Sequence, residues 1–148
     1  MMEIIKTILG ILFIIVLIFA FEKLREKQKL KKLRIKRPGL SKKDYIKALE
    51  LKGFFKEDIE VVYEKLKEFI AEDSFLLHPE DDIHKDYDIV DLDDIELINQ
   101  VCDSLNIPQP DDYEYELVNK IDKNFTVSYI LNLIIYIKEK LRTTTPIK

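Results

Sequence analysis

Cysteine occurs once in this chain, at Cys102, tryptophan is absent, and glycine occurs three times. One cysteine excludes an intramolecular disulfide and fits a reducing compartment. Scarce glycine leaves few places for left-handed backbone, so the chain reads as helical. Two histidines, His78 and His84, are too few for a zinc site of about four Cys, His or acidic ligands. No G-x-S-x-G, phosphate-loop or dinucleotide fingerprint occurs. Cys102 falls in a helical apolar stripe, where cysteine acts as a small hydrophobe rather than a nucleophile. Carboxylates are so abundant that pairs of them lose diagnostic value. The expectation is a protein that is not an enzyme and holds no cofactor and no metal.

What is present is divided by charge. Residues 1–37 carry ten Lys or Arg and three acids, a net of +7, whereas residues 38–148 carry 14 and 25, a net of −11. Nucleic acid is excluded as a partner of the larger part, because phosphate is repelled by it. From Ile8 to Phe21 every residue is apolar, counting Gly10. Extended back to Ile4, the span is 18 residues broken by Lys6 and Thr7. As a helix it covers roughly 27 Å, near the ~30 Å of a bilayer's hydrocarbon core. No small-x-small cleavage site follows it, so an anchor is expected over residues 1–22 rather than a cleaved signal peptide.

Residues 22–37, EKLREKQKLKKLRIKR, hold nine basic and two acidic residues. Positive charge beside a span stays on the cytoplasmic side. The expectation is therefore a single-pass protein of a bacterial inner membrane, with its C-terminal domain in the cytoplasm. In residues 23–37 the side chains of Lys23, Arg25, Lys27, Lys29, Lys31, Lys32, Arg34, Lys36 and Arg37 would face lipid headgroups.

Pro38-Gly39 opens the acidic domain, residues 38–148. Ser41 caps a short helix with Asp44 at the capping-box position, Tyr45, Ala48 and Leu49 inside, and Gly53 as its stop. Ile59, Val62, Tyr63, Leu66, Phe69 and Ile70 recur at helical spacing over residues 57–70. A long irregular stretch follows, then a helix over residues 91–105 with Leu92, Ile95, Ile98, Val101, Cys102 and Leu105 inside. The prolines of NIPQPDD end it. A short helical piece, YEYELVNKI, precedes a last helix capped by Thr126 and running from Val127 to about Leu141.

This order of elements over residues 57–141 resembles an acyl carrier protein: a first helix, a long loop, an acidic second helix with IELI, a proline-containing link, a short third helix and a last helix opened by Thr-Val. The resemblance implies an all-α fold, a small carrier-like helical bundle behind a transmembrane helix. A carrier attaches phosphopantetheine to the Ser of an Asp-Ser-Leu motif at the start of its second helix. Aligning Ile95 to Leu97 on the family pattern puts that motif at Val90, Asp91 and Leu92, so Asp91 occupies the serine position. A carboxylate cannot form the phosphodiester. Ser104 lies in an Asp-Ser-Leu triplet, but at the wrong end of the helix.

Between Glu80 and Glu116 there are 14 acids and one basic residue, Lys85. Neither calcium-loop register tried, from Asp82 or from Asp86, puts glycine sixth or glutamate twelfth. The run is either a solvated face or a docking face for a basic partner protein, as acidic second helices serve in carriers. The docking face would comprise Asp81, Asp82, Asp86, Asp88, Asp91, Asp93, Asp94 and Glu96. The functional expectation is a membrane-tethered binding or adaptor module without a prosthetic arm. The alternatives are a genuine acyl or peptidyl carrier serving a membrane-associated enzyme, and a small protective or immunity protein.

Overall fold

The computed structural model describes residues 2–70, 74–90 and 92–144; the side chains of residues 2–7, 26 and 144 lie outside that description. All regular structure among the described residues is α-helical. The chain divides into two compact units, Met1–Arg37 and Pro38–Lys148.

The first unit is one continuous helix, α1 (Met2–Lys36), with no break between its apolar and basic halves. The expected transmembrane anchor is overturned: among the described residues, no helix is long and apolar enough to cross a membrane. The unbroken apolar run, Ile8–Phe21, has 14 residues before Glu22, Lys23 and Arg25 intervene. That is about 21 Å of helix against a hydrocarbon core of ~30 Å. The longer count began at Ile4 and rests on side chains outside the described residues. The single-pass topology, the cytoplasmic orientation and the membrane location fall with the span. The basic residues from Lys23 to Lys36 continue the same helix to its end, and Arg37 follows it.

The second unit is built around α3 (Lys56–Phe69), which packs on α2 (Lys42–Glu50), α5 (Leu92–Ser104) and α7 (Val127–Thr144). Helix α6 (Asp112–Ile121) packs on α7. Ile59, Val62 and Leu66 of α3 meet a core shared with Leu97, Val101 and Cys102 of α5 and Ile130, Ile134 and Ile137 of α7, all buried. Burial of such side chains contributes about 1.5–3 kcal/mol each before conformational entropy is set against it. Helix α2 belongs to this unit: Tyr45 and Leu49 are fully buried, and the Tyr45 and Tyr63 rings meet edge to face at 5.0 Å.

Local chemistry sets the helix ends. Ser41 Oγ accepts from the Asp44 amide at 3.2 Å, and Thr126 Oγ1 accepts from the Tyr129 amide at 3.3 Å. Gly53 has φ +94°, a left-handed conformation that suits glycine after α2. The long stretch between α3 and α5 packs down through Phe75, Leu77, Ile83, Tyr87 and Ile89. It contains a one-turn helix, α4 (Ile83–Tyr87), capped by Asp82, whose side chain accepts from the Lys85 amide at 3.0 Å.

Asp111 and Glu114 form a complete capping box at the start of α6. Lys140 of α7 donates to Asp111 Oδ2 and Glu114 Oε1, each at 2.7 Å. The hydrogen-bonded Glu114 side chain, and then the Lys140 ammonium, hold the Asp111 carboxyl well below the usual carboxylate range. A depressed carboxyl pKa adds stability above the unfolded value of about 4 and loses it as pH falls towards the folded one. Asp111→Asn is therefore expected to lower stability at neutral pH and flatten the fall in stability below about pH 4, read from urea midpoints across an acid pH series.

Candidate functional site: an acidic, partly apolar face and its cleft

The sequence-predicted acidic residues do not share one surface. Asp81 is 1% exposed. It accepts hydrogen bonds from the His78 amide at 2.9 Å and from the Tyr87 hydroxyl. It is part of the loop's internal structure and cannot reach a partner, which corrects its assignment to the docking face. Asp82 and Asp86 are half-buried and shape α4: Asp86 Oδ2 accepts from the Asp82 amide at 3.0 Å, and Lys85 Nζ donates to Asp82 Oδ2 at 2.7 Å. Asp88 is exposed and ends α4 with a φ of +56°. Asp91, the expected docking residue at the carrier-serine position, lies outside the described residues. Asp93 and Glu96 are exposed on α5.

Two apolar side chains expected in the core stand beside Asp93 and Glu96 instead. Leu92 is 80% exposed and Ile95 is 50% exposed. Only the later part of the α5 stripe, Leu97, Ile98, Val101 and Cys102, is buried. Positions 92, 95 and 96 lie within one helical turn of one another, so the apolar pair and Glu96 share a face, with the exposed Asp93 at its flank. Val90, just before α5, is also exposed. A single exposed leucine is ordinary, whereas an apolar group ringed by charge is the composition of an interaction patch.

A cleft of about 570 Å³ opens next to this face, lined by Ile95 and Ile98 of α5, Tyr115 of α6, and Phe125 and Tyr129 at the start of α7. His84 of α4 and Asp94 of α5 stand at its edge. His84 Nε2 donates to Asp94 Oδ2 at 2.9 Å, and the imidazole stacks on Phe125 with ring centres 4.4 Å apart. Tyr129 meets Phe125 edge to face at 5.3 Å and donates its hydroxyl to Asn119 Oδ1 at 3.0 Å. Burial, with Asp94 among the nearby negative charges, pushes the Tyr115 hydroxyl up to about 12 and also raises that of Tyr129.

No family model, curated protein or solved structure matches this chain.

Neither Cys102 nor Ser104 lines the cleft. Cys102 is buried, and burial holds its thiol protonated, pushed up to about 11. The Ser104 hydroxyl donates to the Gln100 carbonyl at 2.8 Å, at the closing end of α5. Among the described residues, no cluster of three or more His, Cys, Asp or Glu side chains could hold a metal ion. The cleft was invisible in the sequence because its walls come from four separate helical starts and turns; the paired exposure of Leu92 and Ile95 was equally hidden by their fit to a core stripe.

Proposed function

We propose that this protein is a non-enzymatic helical binding module, and that the start of α5 docks a basic, amphipathic segment of a partner protein. The exposure of Leu92 and Ile95 beside Glu96, with Asp93 exposed at the flank, carries this reading. Apolar side chains supply affinity where water is excluded, and the surrounding carboxylates orient and accelerate the encounter with a cationic partner. The order of α3, a long packed loop, α5, a proline-containing link, α6 and α7 supports a carrier-like bundle put to use as a docking platform without a phosphopantetheine arm.

The test uses the full chain and a labelled synthetic peptide helix bearing leucines on one face and arginines on the other, followed by fluorescence anisotropy. Asp93→Lys with Glu96→Lys, and separately Leu92→Ser with Ile95→Ser, are each expected to weaken binding about tenfold or more with helix content unchanged by circular dichroism. Glu57→Lys with Glu139→Lys is the charge-matched control, because Glu139 lies about 15 Å along α7 from the Tyr129 end of the cleft. Equal losses in the control would reduce the effect to net charge and sink the face. The intact mass of the purified chain separates this reading from a working carrier: the bare mass is expected, and an added phosphopantetheine arm would make it a carrier.

A further inference from the structure

The cleft beside the contact face has a chemistry distinct from that face. Its walls are aromatic and aliphatic, through Tyr115, Phe125, Tyr129, Ile95 and Ile98. Its lining also includes two carboxylates, Asp94 and Asp112, and two side-chain amides, Asn99 and Gln109. No lysine or arginine lines it among the described residues.

This lining selects by charge and by shape. These carboxylates repel an anionic group and leave a neutral one indifferent. Aromatic faces carry negative potential and attract a cation placed over them. A planar guanidinium suits such a site better than an ammonium, because it is less strongly hydrated, stacks flat on a ring and presents a fork of N–H donors to carboxylates. His84 already stacks on Phe125 and the buried Tyr129 ring meets Phe125 edge to face, so the half-buried Tyr115 is the more open ring for a ligand, with Tyr129 as a second wall. About 570 Å³ exceeds a guanidinium alone and leaves room for its alkyl stem along Ile95 and Ile98.

We infer that this cleft receives an arginine side chain of the partner, its guanidinium among Tyr115, Tyr129, Asp94 and Asp112 and its stem against Ile95. The inference rests on the contact face proposed above and names the anchor that the face would present to the cleft.

Two measurements decide it. In the first, the isotopically labelled full chain is titrated with N-butylguanidinium and with N-butylurea, a neutral molecule of nearly the same shape, while the side-chain amide signals of Asn99 and Gln109 are followed by NMR. Saturable shifts with the guanidinium and none with the urea at equal concentration are expected, and Asp94→Asn with Asp112→Asn should abolish them. Equal shifts with both compounds, or guanidinium shifts that survive the double substitution, overturn the inference.

In the second, each arginine of the peptide above is replaced singly by citrulline, which keeps the shape and removes the charge. One replacement is expected to weaken binding about tenfold while the rest change little. A peptide indifferent to every citrulline overturns the arginine anchor and leaves the contact face standing. No peptide binding at all, with the guanidinium still shifting Asn99 and Gln109, overturns the contact face and with it a partner side chain as the source of the cation.

Discussion

Lys138→Ala is expected to destabilise the second unit by about 3 kcal/mol, because it strands a buried carboxylate. Asp58 of α3 is 2% exposed, and Lys138 of α7 donates to its Oδ1 at 2.5 Å. The pair joins α3 to α7 through residues 80 positions apart in sequence. A charged carboxylate in such a place needs its counter-ion, since burying it unpaired costs several kcal/mol. Lys138 itself is only partly covered, which keeps the expected loss at the lower end of the range for buried pairs. All seven tyrosines lie beyond residue 44, so tyrosine emission in a urea titration follows this unit without signal from α1. Replacing both partners, as Asp58→Leu with Lys138→Met, should recover most of the loss, because no charge is then left buried. A loss below about 1 kcal/mol for Lys138→Ala would mean the pair behaves as an exposed salt bridge.

The second large effect is expected at Gly39. A Cβ there would lie 2.0 Å from the Leu76 carbonyl oxygen and 2.4 Å from the Leu76 Cβ. These are backbone and near-backbone atoms that cannot swing aside as a side-chain tip can. Next to this contact the Leu40 amide donates to the Leu77 carbonyl at 2.9 Å, tying the segment before α2 to the long loop. Gly39→Ala must push the two segments apart, and overpacking with loss of that hydrogen bond should cost about 2–3 kcal/mol. Gly10, with open space around the same position, is the control. Gly10→Ala should leave the urea midpoint of the tyrosine signal unchanged, and a similar shift in both variants would refute the role given to Gly39.

Local signals in the sequence located most of the helices. Ser41, Thr126 and the periodic stripe of α3 announced their elements, because a cap or a 3.6-residue repeat is complete within one segment. Helix α4 escaped because five residues are too few to show a period. The Asp111–Glu114 capping box was written plainly in DDYE, yet the segment was read as the end of a proline-containing link. Periodicity also overran the core: it placed Leu92 and Ile95 inside, because a repeat shows which face of a helix is apolar and not how far a neighbouring helix reaches along it. Counting acids had the opposite defect. It grouped Asp81 with Asp93, although one accepts from a buried tyrosine and the other faces water. The N-terminal run misled through its flanks: Glu22 and Lys23 end the apolar stretch at 14 residues, and Lys6 and Thr7 interrupt its extension back to Ile4.

The single cysteine makes the core a clock. Cys102 is enclosed by the packed helices, and its thiol stays protonated until about pH 11. An alkylating reagent attacks the thiolate, so at neutral pH the folded chain is protected both by lack of access and by lack of nucleophile. Each opening that admits water returns the thiol to its ordinary reactivity, and one covalent adduct records the event. With reagent in excess, the labelling rate measures how often the centre of the bundle opens, with no substitution and no attached dye.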